Sequence, residues 1–156
     1  MSCDVALSAA ILLASFSPAA APAPKAIPAV ATKAANPLAS EPLFSDIISR
    51  ATKLNAAVAA YRKGAGLGPL PEFEAFKSRI AALSDLDMKG HLELAQRGTD
   101  GDLKCILKGI SQDLPKKLAE VAEAKDAPSR EAALRDMAYL LNDNVEVITA
   151  PPAPPV

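Results

Sequence analysis

The chain has 156 residues, half of them hydrophobic but only 4% aromatic, and its 17 Lys and Arg nearly balance its 18 Asp and Glu. That composition excludes a collagen, a disulfide-dense mini-protein and a wholly disordered chain. The near-zero charge argues against a nucleic-acid binder that works through its net field.

From Val5 to Phe16 the chain is a continuous apolar run, VALSAAILLASF. A membrane-spanning helix needs roughly 20 apolar residues, so this run is short for a bilayer. Small residues follow, and Ala19-Ala20-Ala21 or Ala21-Pro22-Ala23 fits an A-x-A cleavage site, so residues 1–21 read as a secretory signal peptide. The expected location is outside the cytosol, in a bacterial periplasm. One feature departs from the pattern: the opening MSCD carries Asp4 and no Lys or Arg. The alternative is a short anchor facing the periplasm, and only in that form does a membrane enter the reading. Cys3 precedes the apolar run, so it is not placed as a lipidated cysteine. Cleavage after residue 21 removes Asp4 and Cys3, leaving 17 basic and 17 acidic residues and the single cysteine Cys105. No intramolecular disulfide is then available, and the fold must rest on packing.

Residues 18–42 hold six prolines and ten alanines. Proline removes backbone donors and favours extended geometry, which predicts a semi-rigid linker over 22–42. The Pro-rich tail 150–156, APPAPPV, is expected to end the last helix. Its PPxPP pattern also suits docking in an aromatic-lined groove.

Between these tails, residues 43–149 are patterned as helices. Phe44, Ile47, Ile48, Ala51, Leu54, Val58 and Tyr61 recur at three- and four-residue steps, predicting a helix over roughly 43–63. The run GAGLGPLP stops it. A second helix is expected from Pro71, with Phe73, Phe76, Ile80 and Leu83 in step. Near Ser84-Asp85 the stripe loses phase: continuing it would bury Asp87 and His91, whereas Met88, Leu92 and Ala95 begin a rotated stripe. The pattern predicts a kink or a break there, with Ser84 or Asp85 capping a fresh helix. Gly98 closes that piece. A third helix capped by Thr99 or Asp100 carries Leu103, Ile106, Leu107, Ile110 and Leu114, is bent by Pro115, and resumes with Leu118 and Val121. Asp126 caps the last helix, Pro128 sits in its first turn, and Leu134, Met137, Leu141, Val145 and Ile148 form its stripe. No stretch alternates with the period of a strand. The predicted fold is an all-α, up-and-down bundle of four or five antiparallel helices.

Chemistry is sparse. With a single His, no His-pair metal site can form. CxxCH, CxxC, HExxH, GxxxxGK[ST], GxGxxG and GxSxG are all missing. Gly64, Gly66 and Gly68 follow a helix and meet Pro69, so they read as a linker and not a phosphate loop. The expectation is a protein that is not an enzyme and has no cofactor or metal. The weak cofactor candidates are His91 and Met137. Met88, three residues from His91, shares its face, whereas Met137 on the last helix can approach from the other side. This arrangement resembles, in architecture alone and with no shared motif, periplasmic b-type cytochromes in which a Met and a His from opposite helices hold a haem. The simpler reading of His91 is a core-edge histidine beside Gly90.

On the third helix Cys105 points away from Leu103, and Gly101 and Gly109 lie with it at small-xxx-small spacing. That face is a candidate dimer seam, with Cys105 near its own copy; the alternatives are cover by a neighbouring helix or an exposed thiol of no consequence. Asp85 with Asp87, and Asp100 with Asp102, are explained by capping and first-turn charge. Lys116-Lys117 and the run 123–126 look like a solvated surface. The sequence therefore predicts a small exported helical protein acting by protein–protein interaction, as a periplasmic accessory, an adaptor or a self-associating bundle. Its partner would be an unidentified protein or a second copy, with no nucleic acid. The alternative function is a haem or small-ligand carrier anchored by His91.

Overall fold

A computed structural model describes residues 36–64, 68–98 and 101–150. The predicted signal segment 1–21, most of the predicted linker and the tail after Ala150 lie outside the described residues. Within them the chain is all-α: four helices, no strand, and the interhelical contacts of a bundle.

The helices are α1 (Pro42–Lys63), α2 (Phe73–Arg97), α3 (Gly101–Glu123) and α4 (Ala127–Thr149). Their ends follow local chemistry. Pro42 occupies the first position of α1, where a missing N–H is harmless. The second helix does not open at Pro71. Glu72 adopts a left-handed conformation, φ 53°, and α2 begins after it. Gly98, at φ 65°, ends α2 in the left-handed region that glycine enters freely. Asp126 caps α4 by accepting a 2.7 Å hydrogen bond from the Ser129 amide.

Each helix turns one stripe inward. Phe44, Ile47, Ala51, Leu54 and Val58 of α1 meet Phe76, Ile80, Leu83 and Leu94 of α2 in one core. Leu103, Leu107, Ile110, Leu114 and Val121 of α3 join them, with Leu134, Met137, Leu141 and Ile148 of α4. Full burial of such a side chain contributes about 2 kcal/mol, so this shared core supplies the bulk of the stability. Neighbours in the chain are neighbours in space: α2 packs on α1 and α3, and α4 on α3 and α1. No Cα of α1 comes within 8 Å of one in α3, nor of α2 within 8 Å of one in α4, so these two pairs lie on diagonals.

Two features depart from the sequence expectation. The end of the predicted linker belongs to the bundle: Pro37–Ser40 form a 3-10 turn, Leu38 and Ala39 pack on the core, and the Asn36 side chain donates to the Ile148 carbonyl at 2.8 Å. Secondly, α2 is unbroken through Ser84-Asp85, which removes the fifth helix. The out-of-phase stripe is a surface: Met88 is half-buried, Ala95 exposed, and Leu92 52% exposed. Asp87, Gly90 and Leu94 are buried in its place.

Candidate functional site

Continuing α2 through the phase break puts Asp87 on the inner face, at 0% exposure. Its partner is Asn144 of α4, also at 0%, whose Nδ2 donates to both carboxyl oxygens at 3.0 and 2.8 Å. Burial raises the Asp87 pKa to about 7, against a smaller lowering by the Asn144 amide. The Asn144 Oδ1 is buried with no hydrogen-bond partner. Asp87 is therefore neither a helix cap nor a first-turn charge, in contrast to the sequence reading.

Ser84, expected as a cap, also has a different role. Pro115 lies inside α3 and has no N–H, so the Ser111 carbonyl four residues earlier lacks its usual intrahelical donor. The Ser84 hydroxyl donates to that carbonyl from the adjacent helix. The serine of α2 thus compensates the proline of α3.

The predicted ligand residues fall as follows. His91 is half-buried, and its Nδ1–H donates to the Lys104 carbonyl at 2.8 Å. Met137 is a fully buried member of the apolar core. They stand on α2 and α4, whose Cα atoms stay more than 8 Å apart across a diagonal. On α3, Cys105 is exposed, so no neighbouring helix covers it. A methyl group added at Gly109 would meet nothing within 4 Å. Gly101 opens α3 four residues before Cys105. No group of three or more His, Cys, Asp and Glu able to hold a metal exists among the described residues. Nor, among them, is any helix long and apolar enough to cross a membrane.

The seam between α1 and α2 is the most sparingly packed of the four neighbouring pairs, and it carries two adjoining hollows that share Arg79. One, of about 340 Å³, is walled by Ala57, Ala60, Tyr61, Leu70, Pro71 and Phe76. Tyr61 stands edge-on to Phe76 at 5.2 Å, and its hydroxyl donates to the Pro71 carbonyl at 2.7 Å, which fixes the loop against α1. The other, of about 360 Å³, is lined by Asp46, Arg50, Lys53, Leu54 and Arg79. Arg50 pairs with Asp46 at 2.9 Å and Arg79 loosely with Glu72 at 3.7 Å, while Lys53 has no ion pair among the described residues. This site is not visible as such in the sequence, because its cations flank the apolar stripe of α1 and only α2 completes the wall. A signal was present: α1 holds four cations and one carboxylate in a chain of near-zero net charge.

No family model matches the chain, and no curated protein and no solved structure matches it.

Proposed function

We propose that this is a small exported four-helix module that acts by protein–protein contact, with no catalytic chemistry, through the seam between α1 and α2. The observation that carries the reading is the pairing in that seam of an aromatic and proline-walled hollow with a cationic one. Apolar depressions rimmed by polar groups are where helices and peptides dock.

The proposal includes the finer architecture, in which successive helices run antiparallel. Pairs between helix ends support it. Arg97 at the end of α2 reaches Glu41 before α1 at 3.0 and 2.8 Å, and Arg62 at the end of α1 reaches Glu131 early in α4 at 2.8 Å. With α2 and α4 then pointing the same way and Asp87 level with Asn144, His91 and Met137 are offset by about 16 Å along the axis. That offset, the burial of Met137 and the hydrogen bond of His91 to Lys104 weigh against the haem or small-ligand carrier. Export, and periplasmic location, rest on Val5–Phe16 and the Ala/Pro stretch after it; an uncleaved segment would make the same module membrane-anchored.

Native mass spectrometry of the full-length chain, expressed with its own N-terminus in a Gram-negative host, tests this reading. A processed chain carrying no small ligand, in protein complexes abolished by Tyr61→Arg, is the expected result. An added mass near that of haem, lost on His91→Ala, would overturn it. A dimer lost on reduction and in Cys105→Ser would move the contact to the Gly101, Cys105, Gly109 face of α3.

A further inference from the structure

The seam has a complement elsewhere on the same molecule. On α4, Tyr139 is 70% exposed, the most exposed large hydrophobic among the described residues. Asp143 and Glu146 follow it at four and seven residues, on the side of α4 away from Leu141 and Ile148. Neither carboxylate has an ion pair among the described residues; the Glu146 carboxylate accepts a hydrogen bond from the Asn142 side-chain amide at 2.8 Å. Desolvation and the nearby Glu146 together raise the Asp143 pKa, as expected of acids held together without a counter-ion. On α1 the order is reversed: Ala57 walls the apolar hollow, Lys53 lies four residues before it and Arg50 seven before.

Resting on the reading of the seam as a contact surface, we propose that its occupant is α4 of a second copy of this chain, laid antiparallel to α1. Tyr139 enters the hollow walled by Ala57, Tyr61 and Phe76, Asp143 meets Lys53, and Glu146 meets Arg50. Steps of four and seven residues are about 6 and 10 Å on both helices, so the three pairs come into register together. An antiparallel helix pair also sets opposite dipole ends side by side. Donor face and acceptor seam are different surfaces, so the contact is heterologous, and it closes into a ring or continues as a chain.

Sedimentation of the full-length chain over a concentration series tests the proposal. Self-association is expected to weaken with salt, because both faces are charged and exposed. Lys53→Glu and Asp143→Lys should each raise the dissociation constant at least tenfold, and Tyr139→Ala more than either. Combining Lys53→Glu with Asp143→Lys in one chain restores the attraction and should recover most of the loss. Mixing the two single variants should restore assembly with the two chains alternating, since the intact α4 of the first fits the intact seam of the second and the two reversed charges attract each other at the next contact. All are surface changes, and unchanged thermal unfolding confirms that the fold is kept. A chain that stays monomeric at millimolar concentration, or self-association indifferent to Lys53→Glu, overturns the proposal. A photocrosslinker at position 57 separates this failure from failure of the seam itself. Adducts only with a different protein overturn the second copy as occupant and leave the seam as a contact surface. No adduct of any kind overturns both.

Discussion

Asp87 and Asn144 meet inside the core across a diagonal of the bundle, joining two helices whose Cα atoms never come within 8 Å of each other. A carboxyl group in an apolar interior is stable only if it is neutral or well paired. Here the partner is an uncharged amide, so neutrality is the main route. The same pair locates α2 and α4 along their axes, since any slip would strand both polar groups.

The stability of the protein should fall as pH rises. The carboxyl titrates near 7 in the folded state, against an ordinary value of 3.8. Folding therefore takes up a proton between those values, and the contribution present below pH 4 is lost progressively by about pH 7. A shift of this size corresponds to about 4 kcal/mol. Urea unfolding followed by circular dichroism at several pH values should show this decline, and Asp87→Asn should flatten it. An equal decline in that variant would assign the effect to another group.

Replacing both polar residues should stabilise the bundle where replacing one does not. Asn144→Leu alone leaves the carboxyl with no donor and is expected to lose about 1–3 kcal/mol. Asp87→Leu with Asn144→Leu removes both desolvated groups, and similar exchanges are neutral or gain about 1–4 kcal/mol. The urea midpoints of the single and double variants at pH 7 give the comparison. A double variant weaker than Asn144→Leu would show that the pair stabilises the fold as it stands.

How much of this was legible in the sequence depends on what each residue needed in order to be understood. Helix periods and their stops, the Asp126 cap and the Gly98 ending are local, and the sequence contains them entire. The fate of Asp87 is not local. An acid at an inward position looks like a fault in the stripe until Asn144, 57 residues away, supplies the amide that meets it. The role of Ser84 is hidden for a similar reason, because its partner is the carbonyl that a proline on another helix leaves without a donor. The α1–α2 seam needs both of its walls to exist at all.

The link between Ser84 and Pro115 can be measured as a cycle. Ser84→Ala leaves the carbonyl of the buried Ser111 without a donor and should lower stability by about 1–3 kcal/mol. Pro115→Ala restores the missing helical N–H, so the same Ser84→Ala change made on that background should have little effect. Four denaturation curves give the coupling, and a value near zero would separate the two residues.

Gly90 lies in the interior of α2, where glycine is about 1 kcal/mol worse than alanine. Its retention has a steric reason. A Cβ there would meet Leu107 Cδ1 at 3.2 Å and both Ile47 Cδ1 and Phe44 Cε1 at 3.4 Å, so side chains of α1 and α3 close over the bare backbone. The nearest of these atoms is the tip of a flexible leucine, which can yield by a few tenths of an ångström. Gly90→Ala should therefore change stability by less than about 1 kcal/mol, the gain in helix propensity offsetting the crowding. Gly90→Leu has no such relief, because the extra carbons must displace Phe44 and Ile47, which are fully buried on the same side. It should lose well over about 3 kcal/mol or fail to fold. Thermal unfolding of the two variants decides the matter: a leucine variant as stable as the parent would mean that α1, α2 and α3 do not close on one another at this point.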